Sequence, residues 1–196
     1  MCRPKSRKGG GWSVVAGILC LAGGLAGCAS PGGSSERFEH AKLGYTISYP
    51  ERIDPSQQAV WQRLKVEDAD LAYRGPGDSM MAISSRCNER QTDPAVLGRQ
   101  LLIGLRNRIR LTSERFEFAG GLAFSQVVRS KQGDVSVRTK TVTLVRGGCV
   151  IDWVLAAPDP PPELEQIFDL WWRGFDPGAM PSPAEDPVDN PVEAGP

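Results

Sequence analysis

The chain has 196 residues, with 23 basic and 23 acidic groups, one histidine and five cysteines. Balanced charge without a basic stripe excludes a nucleic-acid binder. No cofactor and no metal site is expected.

The first eleven residues are basic, with Arg3, Lys5, Arg7 and Lys8 and no acid; residues 12–24 are mostly apolar, and small residues follow up to Cys28. A positive start, a short apolar run and a small-residue cut site define a secretory signal. The apolar run is too short and too rich in glycine for a transmembrane helix, which needs roughly 20 apolar residues. Leu25-Ala26-Gly27-Cys28 resembles the lipobox of bacterial lipoproteins at all four positions. The resemblance implies that the Cys28 thiol receives a diacylglycerol, that the chain is cut after Gly27, and that the new amine is acylated. Thiolate is the strong nucleophile among side chains, which is why a cysteine is required there. One acyl chain holds a protein only marginally, at about 0.8 kcal/mol per buried CH₂, whereas two or three anchor it durably. Ala29, rather than Asp, follows Cys28; in Gram-negative lipoproteins similar to this, that permits sorting to the outer membrane. An ordinary secretory signal or an uncleaved anchor is the alternative.

Without residues 1–27 the chain carries 19 basic and 23 acidic groups, and five of those acids lie in residues 176–196, which hold no base. Cys2 and Cys20 leave with the signal. Cys87 and Cys149 then remain, an even pair in a protein bound for an oxidising compartment, and are expected to form a disulfide; two buried thiols are the alternative. The organisation expected is a signal peptide over 1–27, a flexible Gly/Ser linker over 28–36, a globular domain over 37–175, and an acidic, Pro-rich disordered tail over 176–196. About 140 residues between the tails suit one domain that buries roughly two thirds of its surface.

Within the domain, Arg37 to Ala41 is a short predicted strand and Leu43-Gly44 a turn. Tyr45 to Tyr49 alternates with period two, placing Tyr45, Ile47 and Tyr49 on one face until Pro50 ends the run. Asp54-Pro55 is a loop signal, and Ala59 to Val66 reads equally as strand or helical turn. Asp70 to Arg74 and Met80 to Cys87 form a hairpin around Gly75-Pro76-Gly77-Asp78. Asp93-Pro94 caps a helix whose apolar stripe runs through Leu97, Leu101, Leu105 and Ile109, with Leu102 beside it. Arg106, Arg108 and Arg110 crowd its end, where cations complement the helix dipole.

Four strands follow in a predicted antiparallel meander: Glu114 to Ala119, Leu122 to Arg129, Val135 to Arg146 and Cys149 to Ala156. Tight turns at Gly120-Gly121, Lys131 to Asp134 and Gly147-Gly148 join them. Pro158 to Pro162 breaks the sheet, and Glu163 to Phe175 is an amphipathic helix carrying Leu164, Ile167, Phe168, Trp171 and Phe175 on one side. The fold class is therefore α+β: one antiparallel sheet of six or seven strands with helices packed on it. The opening GYTISYP, the hairpin DADLAYRGPGDSMMAIS and the last amphipathic helix resemble the PsbP-like fold, an α/β/α sandwich. That resemblance spans most of residues 37–175, and it implies a binding or assembly module rather than an enzyme.

No stretch forms a catalytic constellation. His40 has only Glu36 and Glu39 near it in sequence, and alternation sends Glu39 to the opposite face, so His40 is expected on the surface. Asp68 and Asp70 could share a face and bind a cation, but no third acidic ligand is evident nearby, and a solvated strand edge is expected. Ser84-Ser85-Arg86-Cys87 lacks a nucleophile elbow, and a reactive thiol at Cys87 or Cys149 would need an activating base. The paired glycines are hairpin turns and not phosphate loops, since no helix follows them. Trp171 and Trp172 are adjacent on a helix and about 100° apart; they widen a buried face, or one of them is a contact for a partner or a lipid. Arg106 and Arg110 divide similarly, between a solvated helix end and a patch for a partner or an acidic lipid. The function expected is a non-enzymatic, membrane-tethered accessory module that binds a protein partner in an envelope or transport complex. A carrier for an apolar ligand held between sheet and helices is the second reading, and a hydrolase with an unfamiliar site the third.

Overall fold

The first pairing in the chain is a short ribbon, Arg37–Glu39 (β1) antiparallel to Thr46–Ser48 (β2). The computed structural model describes residues 37–53, 61–87 and 92–180. The signal segment, Cys28 and its linker, the Asp54-Pro55 loop and residues 181–196 lie outside the described residues.

Pro50 ends β2 and opens the one-turn helix Pro50–Ile53 (α1). The ambiguous stretch before Val66 contains the strand Gln62–Leu64 (β3), which pairs with Leu71–Arg74 (β4). A single 3₁₀ turn at Pro76–Asp78, with Gly77 left-handed at φ 64°, reverses the chain into Met80–Cys87 (β5). Pro94–Gln100 (α2) begins where Asp93 accepts the Ala95 N–H. The helix stops well short of the predicted stripe. Gly104 and Asn107 take positive φ, at 100° and 51°. Ile109 opens the strand Ile109–Phe118 (β6) and is exposed. Arg106, Arg108 and Arg110 therefore do not sit on a helix end: Arg106 and Arg108 are in the connection and Arg110 is on β6.

Gly121–Gln132 (β7), Val135–Arg146 (β8) and Cys149–Pro158 (β9) complete the meander. The first turn falls one residue earlier than its two glycines suggest. Ala119 and Gly120 are its left-handed pair, at 48° and 71°, the geometry that matches strand twist in a two-residue hairpin. Gly121 is already in β7, packed so closely on the Val145 carbonyl that a Cβ would collide with it. Pro162–Arg173 (α3) closes the fold.

The main sheet has seven antiparallel strands in the order β3-β4-β5-β9-β8-β7-β6. β9 lies between β5 and β8, and this explains its nearly continuous apolar sequence: both its faces are covered. One face carries Leu71, Tyr73, Met81, Ile83, Leu144 and Trp153, packed under Leu164, Phe168 and Trp171 of α3. On the opposite face α2 packs against β7 and β8, and the buried groups there are more polar, including Gln126, Thr141, Thr143 and Asp152. Helices thus cover both faces.

The domain does not stop at Phe175. Asp176 exchanges both backbone hydrogen bonds with Thr46, each 2.9 Å, and Met180 is buried in the core. Residues 176–180, read from sequence as the start of a disordered tail, belong to the fold.

Candidate functional site

Trp171 and Trp172 are both buried, at 0% and 4% exposure, so neither offers a surface to a partner. The 100° between them is used twice. Trp171 turns toward β2 and donates its indole N–H to the Ser48 carbonyl at 2.8 Å. Trp172 turns toward the other edge, between Phe116 and Phe118 at 5.6 and 5.0 Å. Cys87 and Cys149 face each other in register across β5 and β9 and are joined by a disulfide.

The most developed polar cluster sits at the tip of the β1–β2 ribbon. Its turn is closed by the Gly44 N–H on the His40 carbonyl and the His40 N–H on the Tyr45 carbonyl. The same turn aims backbone amides inward: Leu43 and Lys42 N–H donate to His40 Nδ1 at 3.0 and 3.3 Å. Nδ1 is therefore the acceptor nitrogen, and Nε2 carries the proton toward Asp70 Oδ1 at 3.2 Å. The Tyr45 hydroxyl donates to the other oxygen, Asp70 Oδ2, at 2.8 Å. The imidazole stacks on the Tyr45 ring, with centroids 5.0 Å apart. His40 and Asp70 side chains are 17% and 15% exposed. Burial pushes the Tyr45 phenol far above its ordinary value; the Asp70 carboxylate adds to this and Ser85 opposes it. Tyr45 thus stays a donor.

His40 is not the isolated surface residue expected from sequence. Its partner, Asp70, immediately precedes β4 and lies beyond any local pattern. Asp68, read as able to share a face with Asp70 but expected on a solvated strand edge, is a left-handed turn residue at φ 62°. Among the described residues no group of three or more His, Cys, Asp or Glu side chains is placed to hold a metal ion.

An open cleft of about 680 Å³ lies between the ribbon turn and the end of β5, with His40, Lys42, Asp70, Ser85 and Cys87 among its walls. Its chemistry is limited. A general base must present a free nitrogen to the proton it takes, and both His40 nitrogens are engaged. The Cys87 sulfur is held in the disulfide and cannot form a thiolate.

Sequence reasoning missed a second polar group. Asp152, in the middle of β9, is 1% exposed. It accepts from Thr143 Oγ1 at 2.7 Å and from Arg86 Nη1 at 2.8 Å. Burial raises its pKa, and Thr143 and Arg86 act against that rise. The available signal was a lone carboxylate inside the apolar run CVIDWVLAA: such a group is paired when buried.

No family model matches the chain, and no curated protein matches it. Among solved structures it is similar to cyanobacterial PsbP (CyanoP) from Synechocystis sp. PCC 6803, with TM-score 0.55 and 17% identity over 78% of this chain and 98% of that one. It is also similar to LpqN of Mycobacterium tuberculosis, described as involved in cell envelope biogenesis, with TM-score 0.49 and 14% identity over 68% of this chain and 82% of that one. The likeness to CyanoP establishes a PsbP-like fold, as the GYTISYP segment and the following hairpin suggested.

Proposed function

We propose that the protein is a non-enzymatic accessory module of the bacterial envelope, tethered through acylated Cys28, which presents the ribbon-tip cleft to a protein partner. The observation that carries this reading is the commitment of the sole histidine. With Nδ1 on two backbone amides and Nε2 on Asp70, the cleft is rigid and preformed but has no imidazole free to move a proton. Preformed surfaces bind without a large ordering cost. In this reading attachment comes from the lipobox cysteine; among the described residues no helix is long and apolar enough to cross a membrane. The apolar-carrier reading needs an empty space between the sheet and the helices. On the α3 side that space is filled by Trp153, Phe168, Trp171, Trp172 and Phe175.

Two measurements test the proposal. Cys28→Ser should move the protein from the membrane fraction to the soluble one; continued membrane retention contradicts the tether. A photo-crosslinker at Lys42 should trap one defined adduct in intact cells, and the same group at exposed Val135 should not. Equal labelling from both positions, or hydrolytic turnover that disappears with His40→Ala, overturns the accessory role.

A further inference from the structure

A second cleft lies on the other side of the sheet, between the end of α2 and the β6–β7 edge. It measures about 150 Å³ and is walled by Arg99, Leu102, Arg108, Arg110, Gln126 and Val128. Three arginines thus line one cleft, and no carboxylate is among its walls. None of the three forms an ion pair with a described carboxylate. Asp93, within electrostatic reach of Arg99, is already held by Arg115 and by the Ala95 amide. Arg108 spends one N–H on the Leu102 carbonyl at 2.9 Å, which leaves the rest of its fork free.

The wall of the cleft supplies an independent sign. Gln126 is 1% exposed, and its amide nitrogen donates to the Gly98 carbonyl at 2.6 Å. Its Oε1 is buried and accepts nothing. Directly across from it in register, Thr141 is fully buried and its Oγ1 is also unpartnered. A buried acceptor without a donor is costly and calls for an explanation. Guanidinium forks match the oxygens of phosphate or carboxylate, but an acceptor beside them asks for a hydrogen-bond donor on the same ligand. The volume is below the several hundred Å³ of a site that engulfs a whole small molecule, so only a head group enters.

We propose that this cleft binds the head of a hydroxyl-bearing phosphate ester: its phosphate oxygens accept from Arg99, Arg108 and Arg110, and its hydroxyl donates to Gln126 Oε1. The site is separate from the ribbon-tip cleft and does not depend on the partner proposed there.

The test uses the chain from residue 28 onward with Cys28→Ser, which contains all the described residues. The probes are sn-glycerol 3-phosphate, titrated by calorimetry, and phosphatidylcholine vesicles with or without phosphatidylglycerol, in cosedimentation. Saturable binding to glycerol phosphate alone identifies a soluble ester. Binding to phosphatidylglycerol vesicles that glycerol phosphate displaces identifies a lipid head group. In either case Arg99→Gln with Arg110→Gln, both at exposed positions, should weaken binding on the order of tenfold or more, and Arg63→Gln on β3 should leave it unchanged. Sulfate, which has charge but no proton to donate, should compete poorly. Saturation by neither probe, or an equal loss from Arg63→Gln, overturns the site. Sulfate competing as well as glycerol phosphate overturns the role of Gln126.

Discussion

Asp70 serves two donors at once, and that makes it the most sensitive residue of the ribbon tip. Removing it leaves the Tyr45 hydroxyl, on a residue with 0% exposure, without its acceptor, and the His40 N–H without its carboxylate. A buried donor stranded in this way costs about 1–3 kcal/mol. Asp70→Ala should therefore lower the unfolding free energy from urea melts by that order, and Tyr45→Phe, which removes one donor and keeps the His40 pair, should lower it less. Equal losses would mean that His40 adds nothing to the lock. Asp152 makes a different prediction, in pH. Its folded pKa is raised, so the native state holds that proton more tightly than the unfolded chain does. The associated stability is present below the ordinary carboxylate value of 3.8 and fades as pH rises through the raised folded value. The stability of wild type relative to Asp152→Asn should accordingly rise on acidification. Asp93 has the opposite sign: the Ala95 N–H lowers its pKa most, desolvation opposes this, and Arg115 and Arg99 lower it further. Wild type relative to Asp93→Asn should lose stability as pH falls through the lowered value. Paired urea melts across the acid range check both slopes. The cap made by Asp93 was legible from sequence, but the long-range partners were not. Tyr45 and Asp70 are 25 residues apart, and Arg86 and Asp152 are 66 apart. Only the pairing of strands brings them together.

At the scale of elements, local chemistry was readable wherever a turn required it. The Gly-Pro-Gly-Asp reversal, the Asp93-Pro94 start of α2 and the hairpin glycines all mark real boundaries, because only a few residue types adopt those dihedrals without cost. The end of α2 was not readable. Its i, i+4 leucines continue on paper into β6, and the break comes from left-handed backbone at Gly104 and Asn107, which a periodicity count does not see. Gly98 tests how tightly α2 docks on the sheet. Ala is the better helix former by roughly 0.8–1 kcal/mol, so in an isolated helix Gly98→Ala would stabilise. Here a Cβ would lie 2.9 Å from Phe124 Cδ1 and 3.3 Å from Thr143 Oγ1, against a ring that is itself buried. Overpacking of that kind costs about 1–3 kcal/mol, and the clash should win. Differential scanning calorimetry should show a lower Tm for Gly98→Ala; a higher one would mean that α2 lifts freely from the sheet.

For the whole molecule, the decisive fact is the place of β9. The sequence presents four strands in a row, and a plain meander would leave the last of them at an edge. Instead β9 inserts beside β5, joining the early hairpin to the later strands in one sheet. Its apolar run, buried on both faces, was consistent with a central strand, but the identity of its neighbour depends on long-range pairing that no local pattern encodes. This placement brings Cys149 opposite Cys87, and the resulting bridge spans a sequence separation of 62 residues. In the chain-entropy model a loop of that size, when closed, stabilises the fold by about 4 kcal/mol, because the unfolded chain loses the freedom the loop would have had. The bridge joins the early hairpin to the last strand of the sheet, so it constrains the unfolded ensemble across the middle of the domain. The Cys87→Ser, Cys149→Ser double variant should therefore unfold at markedly lower urea, by a free energy of that order, and wild type in reductant should match it. If the double variant matched oxidised wild type, the seven-stranded sheet would be holding β5 against β9 without help from the bridge. Electrophoresis under non-reducing conditions supplies the companion check, since the intact bridge makes the unfolded chain more compact and faster-running than the double variant.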